Sequence, residues 1–116
     1  MLPKIVLHIA DRDFAQTLVR VIADDPSLAG HPVSFSEQEN SLDPHWIYVI
    51  DSNALSCPRL QQVMCAQNPH VVLMVQPGDA SSYNRAWEMN IHKVVERSLP
   101  ADIVRLVLLS EVRQAR

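Results

Sequence analysis

The sequence predicts an α/β domain built on a five-stranded parallel sheet of order 2-1-3-4-5 with helices on both faces. Three observations predict it. The apolar residues switch repeatedly between short strand-like runs and helical spacing, giving five β-runs separated by helices or a loop. The run from His70 to Val75 is apolar almost throughout, as a parallel strand buried on both faces requires. A length of 116 residues suits one domain with a single core, and five strands of this size suit that doubly wound order. Alternation of strand and helix implies right-handed crossovers and a parallel sheet.

The elements follow in order. Ile5 to Ala10 is a β-branched run ended by Asp11-Arg12-Asp13. Phe14, Leu18, Val21 and Ile22 then fall at helical spacing, with Asp13 placed to cap the start and Asp25-Pro26 with Gly30 to stop the helix. Pro32 to Ser36 alternates and reads as a short strand. Residues 37–45 are polar and read as a loop with at most one helical turn, in place of a second helix. Trp46 to Asp51 is a central strand ending on a carboxylate. Ser56 is placed to cap a helix with Pro58 in its first turn, whose buried stripe is Leu60, Val63, Met64 and Gln67 and which Asn68-Pro69 ends. After the His70–Val75 strand, Pro77-Gly78-Asp79 turns into a helix marked by Tyr83, Ala86 and Trp87. Lys93 to Arg97 is a short strand, and Ser98, Pro100 and Asp102 open a last helix.

Composition narrows the function. Thirteen acidic and ten basic residues leave a net charge of -3, which argues against direct, non-specific nucleic-acid binding. The two glycines, Gly30 and Gly78, are far apart, so neither a Walker-type phosphate loop nor a Rossmann fingerprint can be written. Cys57 and Cys65 form no C-x-x-C, and the five histidines (8, 31, 45, 70, 92) show no metal-ligand spacing. His8 is expected to be a satisfied core residue and the two cysteines packing residues. No apolar run approaches the roughly 20 residues needed to cross a bilayer, and the first residues do not form a signal peptide. The expected setting is the cytoplasm, with no membrane partner.

In this sheet ligands sit at the carboxyl ends of strands 1 and 3, where the winding reverses. Strand 1 ends in Ala10-Asp11-Arg12-Asp13 and strand 3 in Asp51-Ser52-Asn53. Carboxylates from two segments therefore face one crevice, the hard oxygen set that Mg²⁺ takes together with waters and a phosphate. An Asp there can also accept a phosphoryl group. The plainer alternatives are that Asp51 serves a local turn, that Asp13 caps the first helix with Asp11 solvated, and that Arg97 pairs with Glu96 or Glu88 at the surface.

Over essentially its whole length the chain resembles the receiver domain of bacterial response regulators, the CheY-like, flavodoxin-like (βα)5 three-layer sandwich. With Leu18 and Asp51 in register, Asp51 stands at the phosphoacceptor and Asp11 at the second member of the acidic pair that holds Mg²⁺. The departures are as telling. Ala10 stands where the first acid belongs, Val75 (or Gln76 with a one-residue slip) at the Thr/Ser position, and Arg97-Ser98 at the Lys-Pro. Val94 stands at the aromatic switch position, and Ser52-Asn53-Ala54-Leu55 replaces the usual hydrophobic-x-Met-Pro. The resemblance thus implies an atypical, or pseudo-, receiver. Asp51 is the candidate phosphoacceptor, Arg97 sits at the family's Lys position, and Asp11, Asp51 and then Asp13 are the Mg²⁺ candidates. A planar guanidinium suits a standing pair with a carboxylate better than a lysine does, so Arg97 is expected to lock Asp51.

The last helix adds a partner expectation. Its apolar residues, from Ile103 to Val112, cover more than the roughly 100° stripe one buried face needs. Val104, Leu108 and Val112 are therefore candidates for a protein partner or homodimer contact on the face that the family builds from its fourth helix, fifth strand and fifth helix; wide burial against the sheet and first helix is the alternative. The reading is a signalling domain and not an enzyme, spanning 1–116 and resembling domains at the head of longer regulators. It is expected to work by protein–protein contact without the usual phosphorylation switch. The rival is a working Mg²⁺-dependent phosphoacceptor of a two-component phosphorelay, charged at Asp51 by a histidine kinase. A flavodoxin-like cofactor binder is disfavoured, because the Ser/Thr-rich phosphate loop after strand 1 is absent.

Overall fold

The computed structural model describes residues 2–66, 69–91 and 93–115. Five strands, β1 (Ile5–His8), β2 (Val33–Phe35), β3 (Ile47–Asp51), β4 (His70–Val75) and β5 (Lys93–Glu96), form one sheet. The order is β2-β1-β3-β4-β5 and every neighbouring pair is parallel. Four helices accompany it: α1 (Arg12–Asp24), α2 (Pro58–Met64), α3 (Ala80–Glu88) and α4 (Ala101–Ala115). Two 3₁₀ turns, Ser36–Gln38 and Ser52–Ser56, complete the regular structure. The first stands where a second helix is expected to shrink to a turn.

Strand geometry splits the core in two, because successive side chains leave opposite faces of a sheet. Ile5, Leu7, Ile47, Val49, Val72 and Met74 face α1 and α4. Val6, Tyr48, Ile50, Val71, Leu73 and Val75 face α2, α3 and the buried Ala54 and Leu55 of the second 3₁₀ turn. Sequence runs with no polar alternation, such as Val71–Val75, are those that must satisfy both layers. Tyr48 fits because its hydroxyl donates to the Asp43 carbonyl at 2.7 Å.

Helix ends correct two expectations. Asp11 caps α1, its Oδ1 accepting from the Phe14 N–H at 3.1 Å, while Asp13 is exposed within the first turn. Cys57 occupies the cap position of α2 and gives no side-chain bond; Ser56 belongs to the 3₁₀ turn, which Ala54 and Leu55 pull into the core. Gln67 and Asn68 lie outside the described residues, as does His92. At the end of α3, Asn90 takes φ 59°, the left-handed conformation that Asn tolerates just past a helix.

Val104, Leu108 and Val112 are core residues, each 1% exposed or less, and so cannot be the partner contacts expected of them. Their spacing of four is the seam of α4 that packs on the sheet and α1. The large apolar side chain that α4 leaves in solvent is Leu106. The cysteines divide: Cys57 packs at the edge of the core, whereas Cys65 is exposed.

Candidate functional site

The crevice at the carboxyl ends of β1, β3 and β4 is built from strand ends and the first turns after them. Asp51, the last residue of β3, reaches across to the next segment: its Oδ2 accepts from the Ala10 N–H at 2.8 Å and its Oδ1 from the Asn53 N–H at 3.1 Å. The carboxylate thereby ties the β1–α1 junction to β3 and caps the 3₁₀ turn that follows. Asp11 is spent in the same way. One oxygen caps α1, and the other is ion-paired with Arg97, the residue after β5. The Arg97 guanidinium also lies over the Phe14 ring, 4.1 Å from its centroid, and the Arg97 N–H donates to the Val75 carbonyl at 2.6 Å.

Arg97 does not lock Asp51: its standing carboxylate is Asp11, in preference to Asp51, Glu96 or Glu88, because the Asp51 oxygens turn to the Ala10 and Asn53 N–H groups. Phe14 has no part in the sequence reading beyond the α1 core stripe, yet its ring is one side of the guanidinium's seat. The i, i+3 step from Asp11 to Phe14 is the signal that could have found it, since the residue whose amide Asp11 caps also supplies the ring.

Asp51 lies between two small crevices. One, of about 190 Å³, is lined by Ala10, Asp11, Asp51, Met74, Gln76 and Arg97 among others. The other, of about 140 Å³, opens toward β2 and includes His8, Arg12, Phe35, Glu37 and Asp51. On that side Arg12 pairs with Glu37 and lies 5.0 Å from the Phe35 ring centroid, and His8 Nδ1 meets the Ser36 hydroxyl at 2.6 Å. His8 is thus satisfied as expected, but it is half-buried at the strand end and not a core residue.

The donor set does not fit Mg²⁺ well. An octahedral Mg²⁺ wants ionised carboxylates with room for waters. Asp51 accepts a backbone N–H on each oxygen, Asp11 caps α1 and is ion-paired with Arg97, Ala10 brings no side-chain oxygen, and Asp13 is exposed. A cation at Asp11 would have to displace Arg97. Among the described residues no three His, Cys, Asp or Glu side chains converge as a metal would need. At the end of β4, Val75 is buried and Gln76 exposed, so no hydroxyl from that strand reaches the crevice.

No protein-family model matches the chain, and no curated protein matches it in sequence. Solved structures do. A CheY-like response regulator receiver domain protein from Methanospirillum hungatei JF-1 superposes with a TM-score of 0.71 at 7% identity, over 99% of this chain and 97% of that one. A CheY-like response regulator protein from Mesorhizobium loti gives 0.67 at 12% identity, over 96% and 99%. A candidate CpaE2 pilus assembly protein from Sinorhizobium meliloti 1021 gives 0.57 at 11% identity, over 97% and 99%. At these identities the likeness is one of fold: five parallel strands in the order 2-1-3-4-5 with four helices, the CheY-like receiver fold.

Proposed function

We propose that the chain is a signalling module of receiver fold that works through protein contacts, with its phosphoacceptor crevice closed by internal pairs. The observation that carries this reading is the Arg97–Asp11 ion pair beside an Asp51 whose two oxygens already accept backbone N–H groups. In a switching receiver the phosphoryl group needs a metal and a hydroxyl donor to pull the loops together. Here the charge that would attract a cation to Asp11 is neutralised, and β4 ends in Val75. Arg97, clamped between Asp11 and the Phe14 ring, fixes the β5–α4 junction against α1 without any ligand.

The contact face we assign is the one formed by α3, β5 and α4. Tyr83 and Trp87 are one turn apart on α3 and both exposed, Trp87 to 80%, and Leu106 is exposed on α4. Aromatic side chains of this size in solvent suit a protein partner.

Intact-mass spectrometry after incubation with Mg²⁺ and acetyl phosphate tests the proposal, with Asp51→Asn as control. The expected result is an unchanged mass. A single phosphoryl adduct that needs Mg²⁺ and vanishes in Asp51→Asn would establish the rival reading, a phosphorelay receiver. That reading draws on the position of Asp51 at the strand end, lining the 190 Å³ crevice.

A further inference from the structure

A roomier cavity lies at the other end of the sheet, where β4 and β5 begin. Its volume is about 680 Å³, within the range of roughly 300–1,000 Å³ typical of small-ligand sites. Met64, Val71, Met89 and Ile91 give it apolar walls, and Glu111, His70 and Lys93 face it from α4, β4 and β5.

Glu111 is the unusual member. It lies on the core-facing side of α4, beside Val112 and one turn from Leu108, with its side chain only 6% exposed. An ionised carboxylate taken out of water requires compensation. Among the described residues its hydrogen-bond partner is His70, Nδ1 to Oε1 at 2.9 Å. Because an ionised carboxylate only accepts, that imidazole nitrogen carries the hydrogen, and the second carboxylate oxygen is not used by the pair. Lys93 faces the same cavity without pairing with Glu111; its ammonium reaches the Ser110 hydroxyl at 3.5 Å.

We propose that this cavity binds a small organic cation, an amine or guanidine on an apolar body. Glu111 holds the charge, His70 orients the carboxylate, and Met64, Met89 and Ile91 receive the body. Methionine walls accommodate bodies of differing shape. The site is independent of the crevice around Asp51, and its ligand need not carry phosphate.

The test uses the full chain and calorimetric titration with tryptamine and agmatine, with indole-3-acetate as the ligand of opposite charge. At least one of the two cations is expected to bind saturably below millimolar concentration, with indole-3-acetate silent. Glu111→Gln is expected to weaken binding by about tenfold or more, the scale of a charge-assisted hydrogen bond. Met89→Trp, which fills the space and leaves Glu111 in place, is expected to abolish binding and serves if Glu111→Gln does not fold. No saturable binding of either cation, equal binding of indole-3-acetate, or undiminished binding in a folded Glu111→Gln or Met89→Trp protein would overturn the proposal.

Discussion

The two ends of the sheet treat their charged residues in opposite ways. At the carboxyl end, where a doubly wound fold receives its ligands, Asp11, Asp51, Arg12 and Arg97 are all engaged with partners inside the chain, and two crevices of about 190 and 140 Å³ remain. At the amino end the part-buried His70–Glu111 pair borders a cavity of about 680 Å³. On the reading proposed above, ordinary capping and ion pairing shut the place that the fold reserves for chemistry. Asp51 holds the acceptor position, and its two accepted N–H bonds also tie β3 to the end of β1.

Variants can break that contrast in graded ways, measured by urea unfolding. The largest effect is expected from Leu108→Ala, because Leu108 is fully buried on the α4 seam between sheet and α1. It should cost about 2–5 kcal/mol, whereas Leu106→Ala on the exposed side should stay within about 0.5 kcal/mol. Next comes Asp51→Ala, which removes the acceptor of two backbone N–H groups and should cost about 1–2 kcal/mol. A purely catalytic Asp51 would instead be neutral or stabilising on removal. Arg97→Ala is expected to be mild, about 0–1 kcal/mol, since Asp11 is half exposed and its cap on α1 survives. Its consequence should lie in the crevice and not in stability.

Two titrations sharpen the picture of what holds the scaffold. The hydrogen bond from Arg105, then that from the Ser27 N–H, holds the Asp25 carboxyl below the usual range. A depressed folded-state pKa stabilises above the unfolded value near 4, and this contribution is lost as pH falls through the folded value. Arg105→Gln should therefore flatten the stability loss on acidification, seen as a smaller change in urea midpoint between neutral and acid pH. Burial, with Asp43 and Glu39 adding to it, raises the Tyr48 phenol far above its ordinary value near 10. Stability from the buried neutral phenol is present below about pH 10 and declines as pH rises further, because only the unfolded chain then releases the proton. Absorbance titration should show Tyr48 ionising only as the fold opens.

Much of the fold was legible in the sequence, because it rests on patterns within short windows. His70–Val75 reads as a strand from its unbroken apolar run, and the sheet order follows from alternation and length. Choices between neighbours were less legible. Asp11 and Asp13 are equally good caps by type, and the crossing of α1 with Arg97, 86 residues away in sequence, favours Asp11. The apolar breadth of α4 hides which residues face out, since one seam meets both the sheet and α1. Of the candidate site, Asp11, Asp51 and Arg97 were readable from strand ends, but their partners were not. Ala10 and Asn53 act through backbone N–H groups, which no side-chain pattern reports. Glu111 and His70 are separated by 41 residues, and a lone glutamate in a helix gives no hint of burial.

Closure of the crevice by the Arg97–Asp11 pair is open to direct measurement. The most direct measurement is an amide NMR titration with Mg²⁺ of the unaltered chain and of Arg97→Ala, side by side. The account expects no saturable shifts at Ala10, Asp11 and Asn53 in the unaltered chain, and saturable shifts at those amides once Arg97 is removed. Saturable shifts at the same amides in the unaltered chain would contradict it.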